Sequence, residues 1–183
     1  MSTTQQEKLS GKWTVNAVQS SVTWAVRHAN VSWFRGSFEG FEGTLDATGS
    51  EPVLEGGTKV ENISVRTPDA LRGHLLSPEF FDAENHPEIT FRSTKLDLRD
   101  DGTASVEGDL TIRGNTKRVT GTGTWHGAID TPFGTKAALE LETTINRFDF
   151  GVSWEAPPMP VGGSPSLGDE IQITISMQLD PAE

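Results

Sequence analysis

Four histidines, His28, His74, His86 and His126, are the residues of this chain best suited to acid–base or metal chemistry, because histidine titrates near neutral pH and is the commonest metal ligand. Their spacing supports neither role. None forms an i, i+4 pair and no HExxH-type spacing occurs, so a metal site would have to gather ligands distant in sequence. His74, Ser77 and Asp82 invite a Ser-His-Asp reading, but no GxSxG elbow accompanies them. Ser77 followed by Pro78 is instead what a helix N-cap with proline in the first turn gives. Gly121-Thr122-Gly123 sits among alternating residues with no helix start after it, so it is not a phosphate loop. Its glycines are read as room for a large neighbour or for a ligand. Arg113, Arg147 and Asp149 stand beside apolar stretches, either as ion pairs tying strand ends together or as polar contacts to a ligand head group.

The elements that would position these residues are strands. Ile171, Ile173, Ile175, Met177 and Leu179 alternate with polar residues without a break, and a period of two puts all five on one face. The segments 137–145 and 106–112 alternate in the same way, and Val22, Trp24, Val26 and His28 share a face. Over 34–46, Phe34, Phe38, Phe41 and Leu45 are punctuated by glycines, and the odd step from Phe38 to Phe41 predicts a bulge. A strand is expected near 54–65, and Asp100-Asp101-Gly102 is a hairpin signal between strands at 88–98 and 104–113. Gly114-Asn115 turns the chain into 119–125, and strands at 135–146 and 169–180 complete the set. Roughly eight strands joined by short turns predict an all-β antiparallel barrel or sandwich. Residues 69–86 do not alternate and predict one or two short helices that lay Leu75, Phe80 and Phe81 over one end. Glu155 to Gly168 holds four of the ten prolines and predicts a long rim loop. Residues 1–10 read as a disordered tail before a single domain over 11–183.

Composition excludes several partners. The net charge of −11 disfavours nucleic acid and anionic surfaces. There is no cysteine, hence no disulfide and no thiolate metal site. No run approaches ~18 apolar residues, so no membrane span is expected. The first residues lack an apolar signal-peptide core, which predicts a cytoplasmic protein. Five tryptophans and nine phenylalanines stand with no tyrosine; large rings without a polar handle suit an apolar interior, packed or hollow.

Several blocks in order carry a resemblance to a known family. They are Ser21-Val-Thr-Trp-Ala-Val-Arg-His28, Phe34-Arg-Gly-Ser-Phe38 with Phe41-Glu-Gly43, and His74-Leu-Leu-Ser-Pro-Glu-Phe-Phe-Asp82 leading to His86-Pro-Glu-Ile-Thr-Phe91. Gly108-Asp-Leu-Thr-Ile-Arg-Gly114, Ile145-Asn-Arg-Phe-Asp-Phe-Gly151 and Leu167-Gly-Asp-Glu-Ile171 follow. Over about residues 11–181 the chain resembles the YceI-like, polyisoprenoid-binding proteins. The resemblance implies an extended, lipocalin-like antiparallel barrel of eight strands holding an elongated isoprenoid lipid, such as a polyprenyl or quinone tail. It implies no catalytic constellation and no cofactor besides such a lipid. Many relatives carry Arg-Asp-x-His where this chain has Leu71-Arg72-Gly73-His74, without the acidic group.

On that reading the ligand lining is Val22, Trp24, Val26, Phe38, Phe41, Phe91, Leu110, Ile112, Leu139, Leu141, Phe148, Phe150, Ile173 and Ile175, with His28, Arg113 and Arg147 as polar contacts. The expected function is non-catalytic transport or sequestration of the lipid. Two alternatives stand beside it: an enzyme using His28 or His74 in the same pocket, and a packed-core scaffold that binds a protein through the 155–168 loop. An outer strand face that pairs with a second copy would make a homodimer.

Overall fold

The computed structural model describes residues 9–156 and 166–182. Ten strands follow one another: β1 Gly11–Val15, β2 Ser21–His28, β3 Ser32–Phe38, β4 Glu42–Ala47, β5 Val53–Lys59, β6 Glu88–Leu98, β7 Thr103–Ile112, β8 Asn115–Thr131, β9 Gly134–Asn146 and β10 Leu167–Pro181. A single α-helix among the described residues, α1 Asp69–Leu76, lies between β5 and β6. All pairings between these strands are antiparallel, in the order β1-β4-β5-β6-β7-β8-β9-β10-β2-β3, and β1 also pairs with β10.

That last pairing closes the sheet, and it explains why ten segments make an eight-stranded barrel. Ile171 to Ser176 of β10 pair with β2, and Leu179 to Pro181 pair with β1. The segments β1 and β2 are therefore one wall strand, interrupted at 16–20, where the Asn16 side chain accepts hydrogen bonds from the N–H groups of Val18 and Gln19. β3 and β4 are likewise one wall strand, pairing with β2 and β1 in turn. Their interruption falls between Phe38 and Phe41, where Gly40 takes a φ of 63°, a left-handed conformation that favours glycine. The odd spacing of the phenylalanines thus marks a real break that returns both rings to the inner face. Past the break, β3 is joined on its other edge, among the described residues, by the stretch after β5: Ser64 N–H donates to the Ser37 carbonyl, and Ser37 N–H donates to the Ser64 hydroxyl.

Hairpin chemistry sets the registers. Thr103 N–H and its hydroxyl both donate to one Asp101 carboxylate oxygen, at 2.9 and 2.6 Å, beside Gly102 at φ 83°. Ile112 pairs with Asn115, so the next turn is Arg113-Gly114, both at positive φ, as a two-residue hairpin with the primed turn types requires. The turn is one residue earlier than Gly114-Asn115.

The inner face divides into two regions. At one end Trp13, Leu45, Leu54, Leu96, Trp125, Leu139, Met177 and Leu179 pack into a continuous core. The two indole N–H groups there are satisfied, Trp13 by the Ser10 carbonyl and Trp125 by the Arg99 carbonyl, at 2.9 and 2.7 Å. Leu9 is buried in this core, so the last two residues of the expected tail belong to the folded body; residues 1–8 lie outside the described residues. At the other end Val26, Ile63, Leu75, Phe80, Ile112, Ile145 and Phe150 gather beneath α1.

Two expectations about the connecting segments are corrected. The strand near 54–65 stops at Lys59 and gives way to a short 3-10 turn, Val60–Asn62. Ser77 does not start a helix but ends α1: it is the C-cap, and its hydroxyl donates to the His74 carbonyl at 2.7 Å. The chain then runs in turns, with Phe80 and Asp82 N–H groups both donating to the Ser77 carbonyl. Leu75, Phe80 and Phe81 still cover the barrel end, placed by the helix and the turns that follow it.

At the packed end Asp180 accepts from Lys136 Nζ and from the Asn16 amide, each at 2.8 Å. The Lys136 hydrogen bond first, and the Asn16 one second, hold its carboxyl below the ordinary carboxylate range. A folded-state pKa below the unfolded value adds stability that is present above the unfolded pKa of about 4 and is lost as pH falls through the folded one. Asp46 and Asp101 share this sign through Thr48 and Thr103. Thermal unfolding of Asp180→Asn should therefore lose less Tm than wild type on going from pH 5 to pH 2; equal slopes would remove Asp180 from the account.

Candidate functional site

Between the packed floor and α1 the barrel is hollow. The cavity measures about 320 Å3, within the range of small-molecule sites. Its floor is Leu54, Val106, Leu141 and Met177, and its far end is formed by Leu71, His74, Leu75, Phe80 and Phe81 together with Trp154. The same face of β10 serves both regions: Ile171, Ile173 and Ile175 border the lumen, while Leu179 lies in the solid core. Met177 is at the boundary and belongs to both.

Among the residues expected to line the cavity, Val22, Trp24 and Val26 on β2, Phe38 on β3 and Phe41 at the break border it. So do Phe91, Leu110, Ile112, Leu141, Phe150, Ile173 and Ile175, and the two polar residues His28 and Arg147. Three are placed elsewhere. Leu139 is one inward step beyond Leu141 and is buried in the floor beside Met177 and Trp125. Phe148 is 39% exposed, because the strand ends at Asn146 and Arg147–Phe150 form a 3-10 turn. Three residues per turn bring 147 and 150 to one side and turn 148 outward, so an alternation carried past Asn146 gives the wrong phase. Arg113 is a brace: its guanidinium donates to the carbonyls of Gly151 and Pro78, the latter at 2.6 Å, and ties the hairpin to the cap.

The missed lining residues include Phe34, Ile89, Val119 and Ile145. Ile89 and Ile145 lie on strand faces the alternation could have marked, and Phe34 shares its face with Phe38. Trp154 lies outside any strand, so no periodicity points to it.

Glycines shape the wall. Trp24 pairs with Gly36 across β2 and β3, and its indole lies so close that a Cβ on Gly36 would be 2.3 Å from the ring. Phe41 lies over Gly56 and Phe91 over Gly108 in the same manner. Each ring lies along the wall because its neighbour has no side chain. A Cβ on Gly108 would also meet the Arg92 carbonyl at 2.5 Å. Gly108→Ala is therefore expected to cost about 1–3 kcal/mol, the range for overpacking, read by urea denaturation; a neutral substitution would show that the ring and backbone yield freely. Gly123 makes room for the adjacent strand, since its Cβ would lie 1.8 Å from the Glu140 carbonyl oxygen, whereas Gly121 borders the lumen.

The polar groups are few and mostly engaged. Arg147 is 3% exposed. Its Nε donates to the Gly168 carbonyl at 2.9 Å and its Nη1 to the Val152 and Trp154 carbonyls, both at 2.8 Å. Burial lowers its pKa, opposed by the charges of Asp169 and Glu155. Of the seven residues from Ser77 back to Leu71, His74 alone pairs with a carboxylate: Nδ1 is 3.2 Å from Glu79. The Ser77 hydroxyl is committed to a backbone carbonyl, and Asp82 accepts from Asn85, so no Ser-His-Asp relay forms. His86 packs against Gly114, and His126 is on the outer face. Among the described residues no group of three metal-ligating side chains is gathered, and no helix is long and apolar enough to cross a membrane. The 155–168 loop falls largely on residues 157–165, outside the described residues.

A closed antiparallel barrel with a solid floor, a helical cap and an apolar lumen defines the class of small barrels that enclose apolar ligands. Within that class the chain belongs to the YceI-like family, whose domain model matches residues 13–179. It is 33% identical over 160 residues to the protein YceI of Escherichia coli O157:H7, covering 86% of this chain and 79% of that one. It is also 33% identical over 134 residues to a UPF0312 protein of Pseudomonas putida strain W619, covering 72% and 70%. Among solved structures, BcnA of Burkholderia cenocepacia superposes with a TM-score of 0.72 at 19% identity, over 90% of this chain and 98% of that one. A polyisoprenoid-binding domain from Saccharophagus degradans, implicated in plant cell wall breakdown, gives 0.70 at 8% identity, over 93% and 98%. At such identities these likenesses concern the fold.

Proposed function

We propose that the protein binds an elongated isoprenoid lipid in this cavity and carries or sequesters it without chemical change. The observation that supports the reading is the lumen itself: about 320 Å3 walled by aliphatic and aromatic side chains, with the buried Arg147 at its border already given to backbone carbonyls. The naming of the Saccharophagus domain for polyisoprenoid binding adds to it. Transfer of one CH₂ from water contributes about 0.8 kcal/mol, hence roughly 3–4 kcal/mol per five-carbon unit. A few buried units therefore reach micromolar affinity, about −8 kcal/mol, after ordering costs. An open lumen also weighs against a packed-core scaffold. A catalytic reading would need a reactive partner for His74 or His28, and the Ser77 hydroxyl, the sequence neighbour that invites one for His74, is committed to a backbone carbonyl.

Mass spectrometry of an organic extract of the protein purified from its native organism tests the proposal. Polyprenyl-containing species near one per protein are expected. Extracts free of lipid, together with failure to take up prenyl chains from added vesicles, would reject it.

A further inference from the structure

Two polar atoms of the cavity wall are buried without a hydrogen-bond partner: Trp24 Nε1 and His74 Nε2. Buried polar groups are almost always paired, so each calls for an explanation. The Trp24 indole lies against Gly36 with Cε2, the carbon bonded to Nε1, 2.8 Å from where a Cβ would be, so this N–H runs along the β3 wall. His74 has no such account. Its ring stands between Phe80 and Trp154, with centroids 5.1 and 5.0 Å away and edge-to-face geometry. The Glu79 carboxylate 3.2 Å from Nδ1 favours the hydrogen on that nitrogen. In the neutral ring, Nε2 is then an acceptor with nothing to accept from.

We infer that His74 Nε2 is the acceptor for the hydroxyl head of the bound isoprenoid, which is an alcohol or a phenol and not a phosphate ester. This rests on the lipid-binding reading above. An anionic head at Nε2 would share the imidazole with the Glu79 carboxylate held at its other nitrogen. The buried cation bordering the cavity, Arg147, has Nε and Nη1 committed to three carbonyls, and its Nη2 is 3.9 Å from Asp169. An uncharged donor satisfies His74 and disturbs neither.

The test is displacement of an apolar fluorescent probe from the cavity by geranylgeraniol, its methyl ether and its phosphate, at pH 8. Wild type should bind the alcohol roughly 5–10-fold more tightly than the ether, the worth of one otherwise unmade hydrogen bond, and more tightly than the phosphate. His74→Phe keeps the ring packing and should bind alcohol and ether equally. Should that variant not fold, Glu79→Ala removes an exposed side chain, frees the tautomer and should lower the same preference. Equal binding of alcohol and ether by wild type, an alcohol preference that survives in the folded His74→Phe protein (or in Glu79→Ala where that variant replaces it), or tighter binding of the phosphate would overturn the inference while leaving lipid binding in place. Displacement by none of the three would remove the lipid-binding reading itself.

Discussion

Replacing Arg147 with leucine is expected to lower the unfolding free energy by about 3–5 kcal/mol. The guanidinium is almost fully buried and holds three backbone carbonyls, of Val152, Trp154 and Gly168, from two chain segments. The leucine would fill part of the space and leave those carbonyls unpaired. Each unsatisfied buried acceptor costs roughly 1–3 kcal/mol, reduced where water or a shifted backbone reaches it. Arg147→Lys should recover little, since one ammonium on a flexible stem cannot reproduce a planar fork aimed at carbonyls in two directions. Urea denaturation of the three proteins decides the matter. A loss below about 1 kcal/mol for Arg147→Leu would mean that the carbonyls find water and that the arginine is not the clasp joining the start of β10 to the stretch after the 3-10 turn.

The second large effect concerns the lumen. Ile173→Trp should leave the fold intact and weaken prenyl-lipid binding by about 100-fold or more, a shift of roughly 2.7 kcal/mol in binding free energy. Ile173 borders the cavity midway between Ile171 and Ile175 and pairs with Trp24 and Thr143. An added indole would occupy volume that a ligand chain needs and would bury its own apolar surface, so Tm should hold or rise. Thr174→Trp is the control. It is one residue along, exposed, and paired with Thr23 and Glu142, so its side chain is outside the barrel and binding should be unchanged. Lipid binding that withstands Ile173→Trp would place the ligand on some other surface.

The contrast between these neighbours shows how far local pattern reaches. The alternation from Ile171 to Leu179 assigns Ile173 to one face and Thr174 to the other, and the structure agrees. The alternation fails at Phe148, where a 3-10 turn replaces the strand and period two becomes period three. It is silent on Trp154, which enters the wall from outside any strand. Ser77 shows another kind of ambiguity: serine before proline suits a helix start, but here it closes α1 and begins a turn, since its carbonyl and hydroxyl serve both neighbours.

The sequence by itself determined most of the strands and their two-sidedness, though not β1, most of the hairpins and, through ordered blocks, the family. Those properties depend on neighbours two residues apart or on short turns, so they are local. Where the inner face is solid and where it is hollow was decided only in three dimensions. Leu139 and Leu141 are alike in sequence, yet one is in the floor and the other borders the lumen, because the difference lies in what stands across the barrel from each. The same holds for His74, whose unpaired nitrogen depends on Glu79, Phe80 and Trp154 arriving together, and for Arg147, whose carbonyl partners at Val152, Trp154 and Gly168 are separated along the chain. Long-range packing fixes such features, and no periodicity along one strand encodes them.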